Sequence, residues 1–292
     1  MEWQQFVMNL GSLALDEVER ILARHGAEAV TLTDAGDDPV LEPAPGETPL
    51  WPSTRITALL PAGTDVTTLH DDLLGALEIA ELPEHRVERI TERAWEREWL
   101  TRFEPMRFGD RLWVCPRDSS IVEDDAVIVR LDPGLAFGTG THPTTALCLR
   151  WLEQQDLEDK YLLDFGAGSG ILSIAALRLG AAAVTAIDND LQALTATRQN
   201  ALNNGVADRL QISEDLSQTT GMFDGIVANV LAEPLIELAG ELSSRVRRGG
   251  AVALSGILGT QVRDVMDAYH QWLDFDAPVA AAEWVRLTGT RI

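Results

Sequence analysis

The sequence predicts two domains, a small α+β sandwich followed by an α/β domain built on a parallel sheet covered on both faces. Three observations carry this. The chain has 292 residues, against about 100–200 for a typical domain. Its first part reads strand, helix, strand, strand, helix, strand. Its second half alternates short apolar runs with helical patterns and is broken by a glycine-rich turn.

In the first part, Phe6 to Leu10 reads as a short strand. Ala14 to His25 reads as a helix, with Leu15, Val18, Ile21 and Leu22 at helical spacing, Ser12 or Asp16 near its start and Gly26 beyond its end. Ala29 to Thr33 is the next strand. Gly36 to Pro52, rich in Pro, Gly and Asp, is an exposed loop, and Arg55 to Leu60 is a third strand. Leu69 to Ile79 supplies a second apolar helical face and Arg86 to Ile90 a last strand. That order matches a ferredoxin-like sandwich over residues 1–91. Residues 92–117 interleave charges with Trp95, Trp99, Phe103, Phe108 and Trp113. Trp95 and Trp99, four apart, would share a helix face, which predicts a Trp-rich helical linker.

Residues 118–292 form the second domain. Val127 to Leu131, Tyr161 to Phe165, Ala183 to Ile187, Gly225 to Ala228 and Ala251 to Ser255 are strand candidates. Helical patterns such as Ile171 to Leu179 and Gln192 to Asn203 separate them, the signature of a parallel sheet buried on both sides. Ala277 to Ala282 and Trp284 to Arg291 are expected to pair antiparallel at the sheet edge.

The formal charge is −23, with 46 acidic against 23 basic residues, and Lys160 is the only lysine. Such a field opposes docking on phosphate backbones and attracts basic partners, so no direct nucleic-acid binding is expected. An acidic, lysine-poor surface is equally compatible with adaptation to salt. The chain holds no apolar run long enough for a membrane span and no secretion signal at its start, so a cytoplasmic protein is expected. Cys115 and Cys148 are read as reduced, partly buried thiols, and no metal site is expected.

The segment Leu163-Asp164-Phe165-Gly166-Ala167-Gly168-Ser169-Gly170 runs from a strand through alternate glycines into a helix. Glycines there let a ligand lie against bare backbone. The G-x-G-x-G spacing differs from the G-x-G-x-x-G of nicotinamide enzymes. Asp188, at the end of the next strand, can accept from both hydroxyls of a ribose, a task shared by nicotinamide cofactors and S-adenosylmethionine. Two further elements bear on the choice. One is the loop from Asp132 to Thr145, with three glycines, leading into a helix that Thr141 could cap and Pro143 could begin. The other is Asn229, ending the fourth strand, whose amide offers a carbonyl oxygen to a substrate N–H.

Together these pieces resemble the ribosomal protein L-eleven methyltransferases over nearly the whole chain. The resemblance rests on Leu112-Trp113-Val114-Cys115-Pro116, AFGTGTHPTT at 136–145, LDFGAGSGILSIAAL at 163–177, AIDND at 186–190, ANVLAEPL at 228–235 and LSGIL at 254–258. It implies a class I, Rossmann-like, seven-stranded methyltransferase domain. It also implies a cofactor, S-adenosylmethionine, yielding S-adenosylhomocysteine and contacting Thr145, Gly166, Asp188 and Asn229. Gly168, Gly170 and Phe137 are further candidates for that site. The implied substrate is the stalk-base protein of the large ribosomal subunit, free rather than assembled. It would be methylated on lysine ε-amines and its N-terminal α-amine, with the N-terminal sandwich recognising it and the enzyme a monomer. Asn229 is expected to position the amine. His142 is a candidate proton acceptor, and with Phe137 it is expected to shape the pocket. The rival readings are a nicotinamide-dependent oxidoreductase, a methyltransferase of glutamine or nucleobase amides, and a non-catalytic ribosome-binding module. The strand-four motif of amide methyltransferases continues with Pro-Pro and an aromatic, where this chain has Val230-Leu231-Ala232.

Overall fold

The computed structural model describes residues 3–36, 51, 53–90, 104–117, 119, 123, 125–131 and 140–292. The chain divides into two compact units, Met1–Arg97 and Glu98–Ile292. The division falls inside the segment expected to connect the domains.

The first unit runs β1 (Trp3–Asn9), α1 (Leu15–Arg24), β2 (Ala29–Asp34), β3 (Thr54–Pro61), α2 (Val66–Leu77) and β4 (His85–Ile90). Its sheet has the order β2-β3-β1-β4, with every neighbour antiparallel. Alternation decides which face is covered: Phe6, Met8, Ile56, Ala58 and Leu60 are buried with Val18, Ile21 and Leu22 of α1 and Leu69 and Leu73 of α2. Asp65 caps α2, accepting from Thr67 N at 3.0 Å and from Thr68 Oγ1 at 2.7 Å. Most of the expected loop at 36–52 lies outside the described residues.

The second unit begins differently from expectation. Residues 106–116 are not helical linker. They form β5 (Met106–Phe108) and β6 (Leu112–Pro116), which join β7 (Val127–Leu131) in a three-stranded sheet. The reason is the period of two: Leu112 and Val114, with Phe108, Val129 and Leu131, are buried in one core. Trp113 points the other way, its Nε1 donating to Glu123 at 3.2 Å and its ring facing Arg107. Trp95, Trp99 and Phe103 lie outside the described residues.

The main sheet follows: α3 (Pro143–Gln154), β8 (Tyr161–Phe165), α4 (Ile171–Arg178), β9 (Ala183–Ile187), α5 (Leu191–Asn203), β10 (Leu210–Ser213), β11 (Phe223–Asn229), α6 (Ala232–Glu237), α7 (Ala239–Ser244), β12 (Val246–Leu258), α8 (Val262–Tyr269), β13 (Leu273–Phe275), β14 (Val279–Ala281) and β15 (Trp284–Arg291). Seven strands take the order β10-β9-β8-β11-β12-β15-β13, and β14 adds an eighth by pairing with β15. Strands β8 to β12 are parallel, while β15 runs antiparallel to its neighbours. The expected seven-stranded sheet is therefore present, and the expected closing pair is β14 with β15.

Both faces are covered. Val227 and Ala253 pack with Cys148, Leu149, Leu152 and Ile174 on one side, whereas Ile226, Ala228, Val252 and Leu254 pack with Leu235, Leu242, Val265 and Tyr269 on the other. Both cysteines are buried and unpaired, and burial raises both thiols, Cys148 to about 12, so neither is a reactive nucleophile. The strand order reverses between β8 and β11, where the chain leaves β8 for β9 and later returns to the other side. In open α/β sheets that switch point, at the C-terminal strand ends, is where ligands bind.

Candidate functional site

The turn leaving β8 is shaped by three glycines, Gly166, Gly168 and Gly170, at φ +77°, +55° and +78°. The backbone N–H groups of Gly166 and Ala167 both donate to Ile187 O at 2.9 Å, tying the turn to the end of β9. A Cβ on Gly166 would overlap Val230 Cγ1. Helix α5 holds the turn's carbonyls: Thr197 Oγ1 donates to Gly168 O and Asn200 Nδ2 to Ser169 O, each at 2.9 Å.

Gly170 serves helix packing and is not among the described residues lining the cleft. It precedes α4, and a Cβ there would lie 2.8 Å from Thr197 Cγ2, so its bare backbone lets α4 and α5 approach.

Asp188 is half-buried at the end of β9. Its Oδ2 accepts from Gly168 N at 2.8 Å and its Oδ1 from Asp190 N at 3.0 Å. Asp190 in turn caps α5 by accepting from Gln192 N at 2.8 Å. A carboxylate offers about four acceptor positions, so the pinned group keeps capacity for a diol.

A cleft of about 650 Å³ opens at these strand ends, lined by Gly166, Gly168, Asp188 and Asn229 among others. Its remaining wall is apolar at Ile187, Leu216, Val230 and Leu238, and acidic at Glu214, Asp215 and Glu241. Two smaller depressions, of about 330 and 450 Å³, lie at the opposite edge, where the strands begin. Sequence reading missed the Glu214–Leu216 wall because β10 is only four residues long. The available signal was Asp215 two residues before Ser217, an acidic cap that accepts from Ser217 N at 2.6 Å.

Asn229 ends β11, and its Nδ2 donates to Thr145 Oγ1 at 3.2 Å. That spends one side of the amide and leaves its carbonyl oxygen as an acceptor. Thr145 is 1% exposed, on the first turn of α3. It stands behind Asn229 and is not among the described residues lining the cleft. His142, and not Thr141, is the N-cap of α3, and Pro143 opens the helix as expected. The imidazole Nδ1 lies 2.7 Å from Thr144 Oγ1 and accepts from Thr144 N at 3.4 Å, while the ring meets Trp284 edge-on at 5.1 Å. Phe137 lies outside the described residues.

Beneath the turn, Asp164 is fully buried. Its Oδ2 accepts from Ser173 N at 2.9 Å and from Ser173 Oγ at 2.6 Å, while Oδ1 has no partner among the described residues. Burial pushes this carboxyl up to about 6, against the pull of the Ser173 hydrogen bonds.

The donor set fits an adenosyl cofactor. Glycine backbone at Gly166 and Gly168 lines the cleft, a pinned carboxylate borders the same space, and apolar side chains supply part of the wall. Among the described residues no group of three or more His, Cys, Asp or Glu is placed to hold a metal ion, and no helix is long and apolar enough to cross a membrane.

Residues 2–292 match the model of the family described as ribosomal protein L11 methyltransferase (PrmA). The chain is 47% identical to the ribosomal protein L11 methyltransferase of Shewanella denitrificans over 292 residues, covering all of both chains. It is 48% identical to that of Erwinia tasmaniensis over 297 residues, again covering both. Among solved structures, it is similar to a ribosomal protein L11 methylase from Lactobacillus delbrueckii subsp. bulgaricus. That likeness has 35% identity and a TM-score of 0.60, covering 65% of this chain and 99% of the other.

Proposed function

Because this chain belongs to the ribosomal protein L11 methyltransferase family, we propose that it transfers methyl groups from S-adenosylmethionine to ribosomal protein L11. The acceptors are lysine ε-amines and the N-terminal α-amine of the free protein, and S-adenosylhomocysteine leaves as product. The observation that carries the reading is the cleft itself, where the pinned Asp188 carboxylate and the end of β11, with Asn229, border the same space.

Bound there, the cofactor supplies a methyl group on a positively charged sulfur. Asp188 would hold the ribose hydroxyls on its remaining acceptor positions, beside the backbone of Gly166 and Gly168 that lines the same cleft. Asn229, held by Thr145, presents its carbonyl oxygen to an N–H of the incoming amine and fixes the direction of the nitrogen lone pair. Alignment of this kind supplies several kcal/mol of an in-line displacement. A lysine amine, ordinarily at about 10.4, must lose a proton first. Entry into a cleft with apolar walls favours its neutral form, and no side chain is assigned as a dedicated base. The N-terminal unit is the recognition module for the protein substrate, the enzyme works as a cytoplasmic monomer, and nucleic acid is not bound directly.

Mass spectrometry of purified L11 after incubation with this enzyme and S-adenosylmethionine tests the reading. Methyl-sized mass gains, absent with Asp188→Ala and strongly reduced with Asn229→Ala, are expected. No gain alongside calorimetric binding of S-adenosylmethionine would keep the cofactor and reject the substrate. Wild-type turnover by Asn229→Ala at saturating substrate would remove Asn229 from its role.

A further inference from the structure

The start of α3, from its N-cap His142 to Leu147, is held from the sheet by side chains that are not among the described residues lining the cleft. On β15, Trp284 and Arg286 are two residues apart and share a face. Trp284 meets the His142 ring, and Arg286 Nη1 donates to Leu147 O at 2.7 Å. From β12, the fully buried Ser255 donates its Oγ to Thr144 O at 3.2 Å. Between these two anchored carbonyls sits Thr145, whose hydroxyl accepts from the Asn229 amide. We infer that Arg286 is a positioning residue for methyl transfer, acting through α3 and Thr145 on the orientation of the Asn229 side chain.

The chemistry of Arg286 supports a directional role over a stabilising one. It is 8% exposed, and its Nε has no partner among the described residues. Burying a guanidinium is costly, and an apolar side chain of similar volume commonly stabilises such a position as well or better. What a methionine would lack is a donor that reaches the second lone pair of a helix carbonyl. The donor holds the helix two residues beyond Thr145 and so constrains the rotation and height of the helix start that carries it, and a shift of about 1 Å at a positioned group is enough to cost catalysis about 100-fold.

This rests on the role proposed above for Asn229, and the test separates the two. Arg286→Met, Arg286→Lys and Asn229→Ala are compared for melting temperature, S-adenosylmethionine affinity, KM and kcat on L11. The Asn229 side-chain amide signal, identified by its absence from Asn229→Ala, is followed by NMR. Arg286→Met should keep affinity and KM within about threefold while kcat falls about tenfold or more. Arg286→Lys should recover most of that loss. The double variant Arg286→Met with Asn229→Ala should be no slower than Asn229→Ala alone, because the two act on one term. The Asn229 amide signal should move in Arg286→Met.

Wild-type kcat with an unmoved amide signal would overturn the inference, as would a fully additive double variant. If Arg286→Met does not fold, Ser255→Ala and Trp284→Phe probe the same turn, and wild-type kcat in both would overturn it equally. If the native enzyme leaves L11 unmethylated, the functional reading fails, and movement of the amide signal alone decides this one.

Discussion

The backbone N–H of Gly168 donates to the carboxylate of Asp188 across 2.8 Å, joining residues twenty positions apart at the floor of one cleft. The bond makes the glycine turn and the acidic strand end a single unit, so neither can be altered alone.

Asp188→Ala is accordingly expected to lose the ligand's acceptors and the anchor of the turn together. Hydrogen bonds to charged groups are worth about 1.5–3 kcal/mol each, so S-adenosylmethionine affinity should fall about 100-fold or more. Calorimetry measures this directly, and affinity within about threefold of wild type would contradict the assignment.

Gly166→Ala tests the cradle. Alanine at φ +77° is strained, and its Cβ would overlap Val230 Cγ1. The combined expectation is a stability loss of about 1–3 kcal/mol and weakened cofactor binding. Adding Val230→Ala should relieve the overlap and leave the backbone strain of about 1–2 kcal/mol. Denaturant titrations that show no loss in the single variant would contradict the geometry.

Asp164→Asn tests the buried carboxyl. Its ordinary value of 3.8 is raised to about 6 in the folded chain. Below 3.8 both states are protonated. As pH rises through this window the unfolded chain ionises first, so the stability that the neutral acid confers is lost progressively and is gone above the folded value. The shift corresponds to about 3 kcal/mol at most. Asparagine mimics the neutral form and keeps an acceptor for Ser173. The advantage of Asp164→Asn over wild type should therefore be small at acid pH and grow toward neutrality. An advantage that does not change with pH would rule out this ionisation.

The charge of the cleft predicts a difference between cofactor and product. Among the described residues, its charged lining is Asp188, Glu214, Asp215 and Glu241, with no Lys or Arg. S-adenosylmethionine carries a net positive charge and S-adenosylhomocysteine none, so the acidic wall favours the former. Salt screens this attraction, with a Debye length of about 10 Å at 0.1 M and about 3 Å at 1 M. Raising salt should weaken S-adenosylmethionine binding and leave S-adenosylhomocysteine nearly unchanged. Parallel loss for both ligands would assign the acidity to the surface as a whole.

The local elements are legible in the order of the residues. Apolar periodicity placed β8, β9 and β15 at Tyr161–Phe165, Ala183–Ile187 and Trp284–Arg291, the same bounds the structure has. The glycine turn, Asp188 and Asn229 were also legible, because a strand end followed by special backbone or a polar side chain is a signal carried by adjacent residues. The spacing of four between Trp95 and Trp99 suggests a helix through the connector, whereas at 106–116 the period-two burial of Leu112 and Val114 decides for strand.

Tertiary structure alone decided which of these residues meet the ligand cleft. Gly170 looks equivalent to Gly166 and Gly168 in the sequence, yet the approach of Thr197 turns it to packing. At the entry to α3, docking of that helix on β12 and β15 sets Thr145 against the Asn229 amide and His142 at the helix cap. The Glu214–Asp215 wall enters the site only because β10 lies two strands from β8. Local spacing encodes how each segment folds, whereas the direction a side chain faces depends on strand order and helix docking, contacts made between residues far apart in the chain.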